Sequence, residues 1–153
     1  MEKTIRKGGL FMQVRDLMSP NIISVAPDES AALAARLLKR YNVGSLPVCG
    51  EGGDLRGILT DRDIVTRCVA AEEDPGKVKV RDIMSRGCAC VYPEDDVREA
   101  SRMMASAQVR RLPVTEEGKV VGIITLGDIA LSQAYDMEAS KTLADISDNI
   151  KRR

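Results

Sequence analysis

One passage of this chain occurs twice. Val14-Arg15-Asp16-Leu17-Met18-Ser19 returns 66 residues later as Val80-Arg81-Asp82-Ile83-Met84-Ser85. At that offset, residues 14–48 and 80–114 share 13 identities in 35 positions, where ordinary composition would give roughly two by chance. From Gly57 onward the offset is 65, so one residue is dropped in the intervening loop. The chain therefore carries two copies of one supersecondary unit, and each copy checks the reading of the other.

In the first copy Ile22-Ile23-Ser24-Val25 reads as a short strand, ended by the helix-opening cluster Pro27-Asp28-Glu29-Ser30. Ala34, Leu37, Leu38 and Tyr41 then fall at i, i+3, i+4 and i+7, the face a helix buries, and Ala100, Met103, Met104 and Ala107 repeat that register. Leu46-Pro47-Val48 and Leu112-Pro113-Val114 follow, each leading into a turn of glycines and charges that suits an antiparallel hairpin. The returning strands are Gly57-Ile58-Leu59-Thr60 and Gly122-Ile123-Ile124-Thr125. Helices are expected to begin after them, with Ile64, Val65 and Cys68 in one copy and Ile129, Ala130 and Leu131 in the other. Each unit reads as strand, helix, strand, strand, helix.

The expected organisation is an arm at 1–12, a first repeat at 13–70, a charged linker with a Pro-Gly turn at 71–78, a second repeat at 79–132 and a helical tail at 133–153. In the tail, Met137, Leu143, Ile146 and Ile150 form a weak apolar stripe, open to three readings: a cap on the module, a surface for a partner, or a solvated segment.

Composition removes several functions. The 153 residues hold no histidine, which excludes Ser-His and Cys-His nucleophile systems and His-containing zinc sites. Lys plus Arg equals Asp plus Glu at 23 each, and there are one Phe, three Tyr and no Trp. A global basic field and stacking platforms are thus both missing, which argues against nucleic acid. No apolar run nears the roughly 18 residues of a membrane span, so a cytoplasmic protein is expected. Cys49, Cys68, Cys88 and Cys90 lack paired C-x-x-C spacing and read as free, buried thiols rather than a zinc site. Cys88 and Cys90 align with Ile22 and Ser24 and so are expected on one face of a strand, where a redox role stays open.

Thr60 to Asp63 and Thr125 to Asp128 lie where strand gives way to helix. A threonine with an acid three residues on is first of all a helix cap, the hydroxyl and the carboxylate each accepting from a backbone N–H. A helix start also offers free N–H groups and partial positive charge to an anion. Capping and ligand binding are compatible in part.

Taken together, the duplicated Val14–Ser19 passage, the two Leu-Pro-Val strands and the two Gly-to-Asp stretches resemble the CBS domain, here as a tandem pair of the kind called a Bateman module. The resemblance covers roughly residues 13–132. It implies an α+β fold in which two repeats pack sheet to sheet about a pseudo-twofold axis and leave two clefts. It also implies adenosine-containing ligands in those clefts, and modules that pair again as homodimers. Carried over by position, Asp63 and Asp128 would accept from ribose hydroxyls, and Thr60 and Thr125 would donate to phosphate. Val43, Leu46 and Pro47, with Val109, Leu112 and Pro113, would line the adenine slot, and Ile23 or Ala89 would form its other wall. Ser19 and Ser85 are weaker candidates at the cleft edge.

The copies differ in charge. Arg110-Arg111 stands where the first copy has Gly44-Ser45, and Arg62 stands where the second has Gly127. Guanidinium forks suit phosphate oxygens, so each half keeps a candidate, although each arginine also reads as a solvated charge. The sequence thus points to a non-catalytic sensor of AMP, ADP, ATP or a relative such as NAD or S-adenosylmethionine, with no catalytic cofactor and no metal. It would act on an unidentified regulated protein or on its own assembly. The alternative is a ligand-independent dimerisation or scaffold module. An enzyme is disfavoured by the missing histidine.

Overall fold

The computed structural model describes residues 12–151, with the side chains of α6 described in part. Residues 1–11 of the expected arm, and residues 152 and 153, lie outside the described residues. The elements run α1 (Val14–Leu17), α2 (Ala31–Tyr41), β1 (Ser45–Cys49), β2 (Leu55–Thr60), α3 (Asp61–Ile64), α4 (Val80–Ile83), α5 (Val97–Ala107), β3 (Arg111–Glu116), β4 (Lys119–Thr125) and α6 (Leu126–Lys151). α3 continues directly as a π-helical turn, Val65–Val69. The fold is α+β, with β1–β2 and β3–β4 forming two small antiparallel sheets.

The two long helices of the repeats are built alike. The Ser30 hydroxyl accepts from the Leu33 N–H at the start of α2, and the Asp96 carboxylate accepts from the Arg98 N–H at the start of α5. Both helices stop where a residue enters the left-handed region, Asn42 at φ 51° and Gln108 at φ 57°. Ala34 and Leu38 are buried on α2, as are Ala100 and Met104 on α5, while Leu37 and Met103 are half-buried. The expected i+7 positions do not join them: Tyr41 and Ala107 are exposed. Each is the last residue of its helix, where the chain is already turning off the core.

The expected strands at 22–25 and 88–91 shrink to single parallel bridges, Val25 to Val48 and Val91 to Val114. Tertiary connectivity explains this. Ser19 and Ile123 exchange both backbone hydrogen bonds at 2.8 and 2.9 Å, and Ser85 and Ile58 do the same at 2.9 Å each. The chain from Ser19 to Val25 therefore starts on the sheet of one repeat and ends on the sheet of the other, leaving no length for a ladder. Cys88 and Cys90 consequently lie on no strand and are only half-buried, whereas Cys49 and Cys68 are buried; all four are free thiols.

This crossing exchanges the leading segments. Val14 is packed among Val91, Val97, Ala100, Leu112 and Ile124 of the second repeat. Val80 and Ile83 are packed among Val25, Ala34, Leu46 and Leu59 of the first. Backbone bonds seat each segment in matching fashion: the Val14 N–H donates to Asp95 O at 2.8 Å, and the Val80 N–H donates to Glu29 O at 2.9 Å. The hairpin turns also meet across the pseudo-twofold axis, the Leu55 N–H donating to Gly118 O and the Val120 N–H to Gly53 O, both at 3.0 Å.

The second repeat's closing helix and the tail are one continuous helix, α6, of 26 residues. Met137 is exposed on it, and the side chains of Leu143, Ile146 and Ile150 lie outside the described residues. No helix among the described residues is long and apolar enough to cross a membrane.

The crossing accounts for the glycine that opens each returning strand. A Cβ on Gly57 would sit 2.4 Å from the Ser85 carbonyl oxygen, and one on Gly122 would sit 2.7 Å from Met18 Sδ and 3.0 Å from the Ser19 oxygen. Neither glycine has a positive φ; space is what each provides. Gly57→Ala meets rigid backbone and should destabilise the chain by about 1–3 kcal/mol. Gly122→Ala mainly displaces a flexible methionine and should cost less. Urea unfolding midpoints of the two variants compare them directly. Removing the α2 cap with Ser30→Ala should lower stability by about 1 kcal/mol in the same assay.

Candidate functional site

Both strand-to-helix junctions form reciprocal caps. The Asp63 N–H donates to Thr60 Oγ1 at 3.0 Å, and the Thr60 N–H donates to Asp63 Oδ2 at 2.9 Å. At the second junction the corresponding distances are 3.1 and 3.0 Å, between Asp128 and Thr125. The capping function read from the sequence is thus realised twice. It uses one carboxylate oxygen and one hydroxyl lone pair at each junction. The second oxygen of the aspartate and the hydroxyl proton of the threonine are left over for other work.

Their surroundings differ. Asp63 is 9% exposed, and its Oδ1 faces the guanidinium of Arg67 at 4.0 Å. Arg67 is itself anchored on the crossing segment, donating to Ile83 O at 3.0 Å and to Met84 O at 3.3 Å. At the offset of 65 the residue corresponding to Arg67 is Ser132, whose hydroxyl lies 3.0 Å from Met12 Sδ. No cation stands over Asp128 among the described residues, and Asp128 is half-buried and open to a cleft.

That cleft, of about 200 Å³, is lined by Ser19, Asn21, Ile23, Val43, Ser45, Leu46, Pro47, Arg111, Ile123, Thr125 and Asp128. It is a joint product of the two repeats. Ile23, Val43, Leu46 and Pro47 give an apolar wall from the first, while Thr125 and Asp128 give the polar junction of the second. The crossing residue Ser19, bonded to Ile123, brings the walls together. Ser45 and Arg111, equivalent at the offset of 66, meet in the same cleft because both open a hairpin near the pseudo-twofold axis.

Of the residues singled out from the sequence, Ile23, Val43, Leu46, Pro47, Arg111, Thr125, Asp128 and the weaker Ser19 come together here. The others do not line this cleft. Leu112 and Pro113 are buried, and Ala89 is half-buried against the second core. Val109 and Arg110 are exposed between α5 and β3, and Arg62 is exposed on the first turn of α3. Ser85, bridged to Ile58 as Ser19 is to Ile123, lines neither described cleft, and Asp63, capped by Thr60, faces Arg67. Asn21, Ser45 and Ile123 were missed. Ser45 had a signal, its alignment with Arg111, whereas Asn21 and Ile123 enter only through the crossing.

A second cleft, of about 560 Å³, is lined by Ala26, Pro27, Asp28, Cys49, Gly50, Glu51, Arg56, Arg81, Met84 and Arg86. It is the larger of the two and contains neither threonine–aspartate junction. Burial pushes the Cys49 thiol above its ordinary value, the Ser24 hydrogen bond opposing this and the Asp54 charge adding to it. Burial also raises the Cys88 thiol, and neighbouring Cys90 adds to that. A raised thiol is a poor nucleophile, which weighs against a redox role for Cys88. Among the described residues no group of three or more cysteines and carboxylates is placed to hold a metal ion.

Comparison with known proteins agrees with this architecture. The model of the CBS domain matches residues 14–70 and again residues 80–134. The CBS domain-containing protein YhcV of Bacillus subtilis is 40% identical over 134 residues, covering 88% of this chain and 94% of that protein. Among solved structures, the CBS domain pair of protein MJ0100 in complex with 5′-methylthioadenosine and S-adenosyl-L-methionine superimposes with a TM-score of 0.73 at 27% identity, over 83% of this chain and 99% of that one. CBSX2 in complex with AMP gives a TM-score of 0.72 at 27% identity, over 82% and 98% of the two chains. Two matched domains in sequence order, two exchanged cores and a shared cleft lead to one conclusion: this chain belongs to the CBS-domain family, as a tandem pair.

Proposed function

We propose that this protein is a regulatory module that binds an adenosine-containing nucleotide in the cleft bearing Asp128, and that it senses this ligand without transforming it. The observation that carries the reading is the convergence, in one cleft, of the apolar wall of the first repeat and the threonine–aspartate junction of the second. The free carboxylate oxygen of Asp128 is acceptor-only, which suits the two hydroxyls of a ribose. The spare hydroxyl proton of Thr125 suits a phosphate, while the Leu126 and Asp128 N–H groups at the start of α6 are already given to Arg110 O and Thr125 Oγ1. Among the described residues Arg111 is the one guanidinium lining the cleft, and it gives a monophosphate a charged partner. Val43, Leu46, Pro47 and Ile23 offer a flat apolar slot for the base. Complexes of related CBS pairs with AMP, and with 5′-methylthioadenosine and S-adenosyl-L-methionine, support an adenosine moiety as the common element.

Asp63 belongs to a different situation on this reading. Arg67 faces its second oxygen and is anchored on the crossing segment. The two junctions are then inequivalent, and each chain takes one nucleotide at the Asp128 cleft.

The dimerisation reading rests on its own observation. Val65 and Val69 on the first repeat's closing helix and Leu126 and Leu131 on α6 are all exposed apolar side chains, which pairing with a second copy would cover. Pairing and sensing are compatible, and a homodimer remains the expected assembly.

Thermal-shift assays with AMP, ATP, NAD and S-adenosylmethionine test the sensor. A ligand present at 100 times its dissociation constant should stabilise the chain by about 2.7 kcal/mol. If none of the four shifts the melting temperature, the scaffold reading replaces the sensor. Calorimetric titration with AMP should give one site per chain. Asp128→Ala should weaken binding at least about tenfold, the loss expected for one charge-assisted hydrogen bond. Asp63→Ala should lower stability while leaving AMP affinity within about twofold. Equal losses of affinity in both variants would show that the first junction also binds.

A further inference from the structure

The 560 Å³ cleft lies apart from both threonine–aspartate junctions, and the sequence reading gave it no role. It opens where the crossing segment Met84–Arg86 runs beside the start of β2 and the loop before α2. Its floor is partly apolar, formed by Ala26, Pro27, Cys49 and Met84, and three arginines stand around it: Arg56, Arg81 and Arg86.

Internal symmetry separates the part of this cleft that is architecture from the part that is not. Arg81 pairs with Asp28, and at the offset of 66 Arg15 pairs with Glu94 at 3.8 Å. That ion pair is common to both repeats. Arg86 and Arg56 are different: their counterparts in the other repeat are Pro20 and Val121. Two extra guanidinium groups have therefore been placed on one side of a molecule that is otherwise built twice.

The carboxylates in reach are Asp28 and Glu51 on the cleft and Asp54 beside it. Asp28 is held by Arg81 and Asp54 by Arg56, whose guanidinium keeps the Asp54 carboxyl below its usual range. Both are exposed pairs, which contribute little and rearrange readily for a better acceptor. Arg86 has no ion pair among the described residues and is exposed. A ligand with several closely spaced anionic oxygens can engage Arg86 first and then draw Arg56 and Arg81 from their single carboxylates into bidentate contacts. A cavity of this volume is within the range of small-molecule sites.

We propose that this cleft is a second ligand site, independent of the adenosine cleft, for a small molecule carrying two or more phosphate groups. Arg86 and Arg56 are its recognition residues, and Arg81 is a third contact supplied by the common architecture.

The test uses the full chain with Asp128→Ala, so that binding at the adenosine cleft is weakened, titrated calorimetrically with inorganic tripolyphosphate, ATP and AMP. Saturable binding of tripolyphosphate or ATP, falling with added salt, is expected. Arg86→Gln and Arg56→Gln should each weaken it about tenfold, while thermal melts show both variants folded. Asp54→Asn, which releases Arg56, should tighten it. AMP, with a single phosphate, should bind at least tenfold more weakly than ATP. ATP binding more tightly than tripolyphosphate identifies an organic phosphate whose body rests on the Met84 floor, and equal affinities identify a free polyphosphate. Absence of binding by both, or binding unchanged in both arginine variants, overturns the proposal. In the chain with Asp128 intact, Arg86→Gln should leave AMP affinity at the adenosine cleft unaltered.

Discussion

The exchange of backbone hydrogen bonds between Ser19 and Ile123, and between Ser85 and Ile58, holds the molecule in its particular form. These bonds lay the start of each repeat across the returning strand of the other. Because that contact is backbone to backbone, the strand can carry no Cβ at the point of crossing, and Gly57 and Gly122 meet the requirement. Once the segments have crossed, α1 and α4 have only the opposite core to enter. Val14 and Val80 are completely buried there. Neither repeat closes its core without the leading segment of the other.

The same crossing creates the clefts. Ser19 stitched to Ile123 brings Ile23, Val43 and Leu46 of one repeat opposite Thr125 and Asp128 of the other, and no single repeat owns the site that results. The helix cap is an economical foundation for such a site. It fixes the aspartate and threonine through backbone bonds, so that the remaining oxygen and hydroxyl proton are held in place before any ligand arrives. A backbone built twice on one plan then carries unequal side chains. Arg67 covers Asp63 where Ser132 leaves Asp128 uncovered, and Arg56 and Arg86 gather on one flank where Val121 and Pro20 stand on the other. The chemical difference between the halves lies in these few substitutions.

Much of this was legible from residues alone. The duplicated passages, the Leu-Pro-Val strands, the hairpin turns and the threonine–aspartate caps all follow from local chemistry, and the structure realises each at the expected place. Features that depended on a remote partner were misjudged. Ile22 to Val25 has the composition of a strand, yet it bridges two sheets and pairs at one residue. Tyr41 and Ala107 continue the helical periodicity, but each helix ends in a left-handed cap at the next residue and turns them outward.

The amino-acid sequence by itself determined that there are two units, what each is made of, and which residues sit at each strand-to-helix junction. Those are properties of short stretches, set by periodicity, turn chemistry and capping. Only the tertiary structure decided which wall faces which junction, that Asp63 lies under Arg67 while Asp128 looks into a cleft, and that Arg56, Arg81 and Arg86 share one cavity. Such pairings join residues that are far apart in the chain, and the crossing at Ser19 and Ser85 that brings them together is made by backbone groups, which the sequence marks only through the space left at Gly57 and Gly122 and which name no partner.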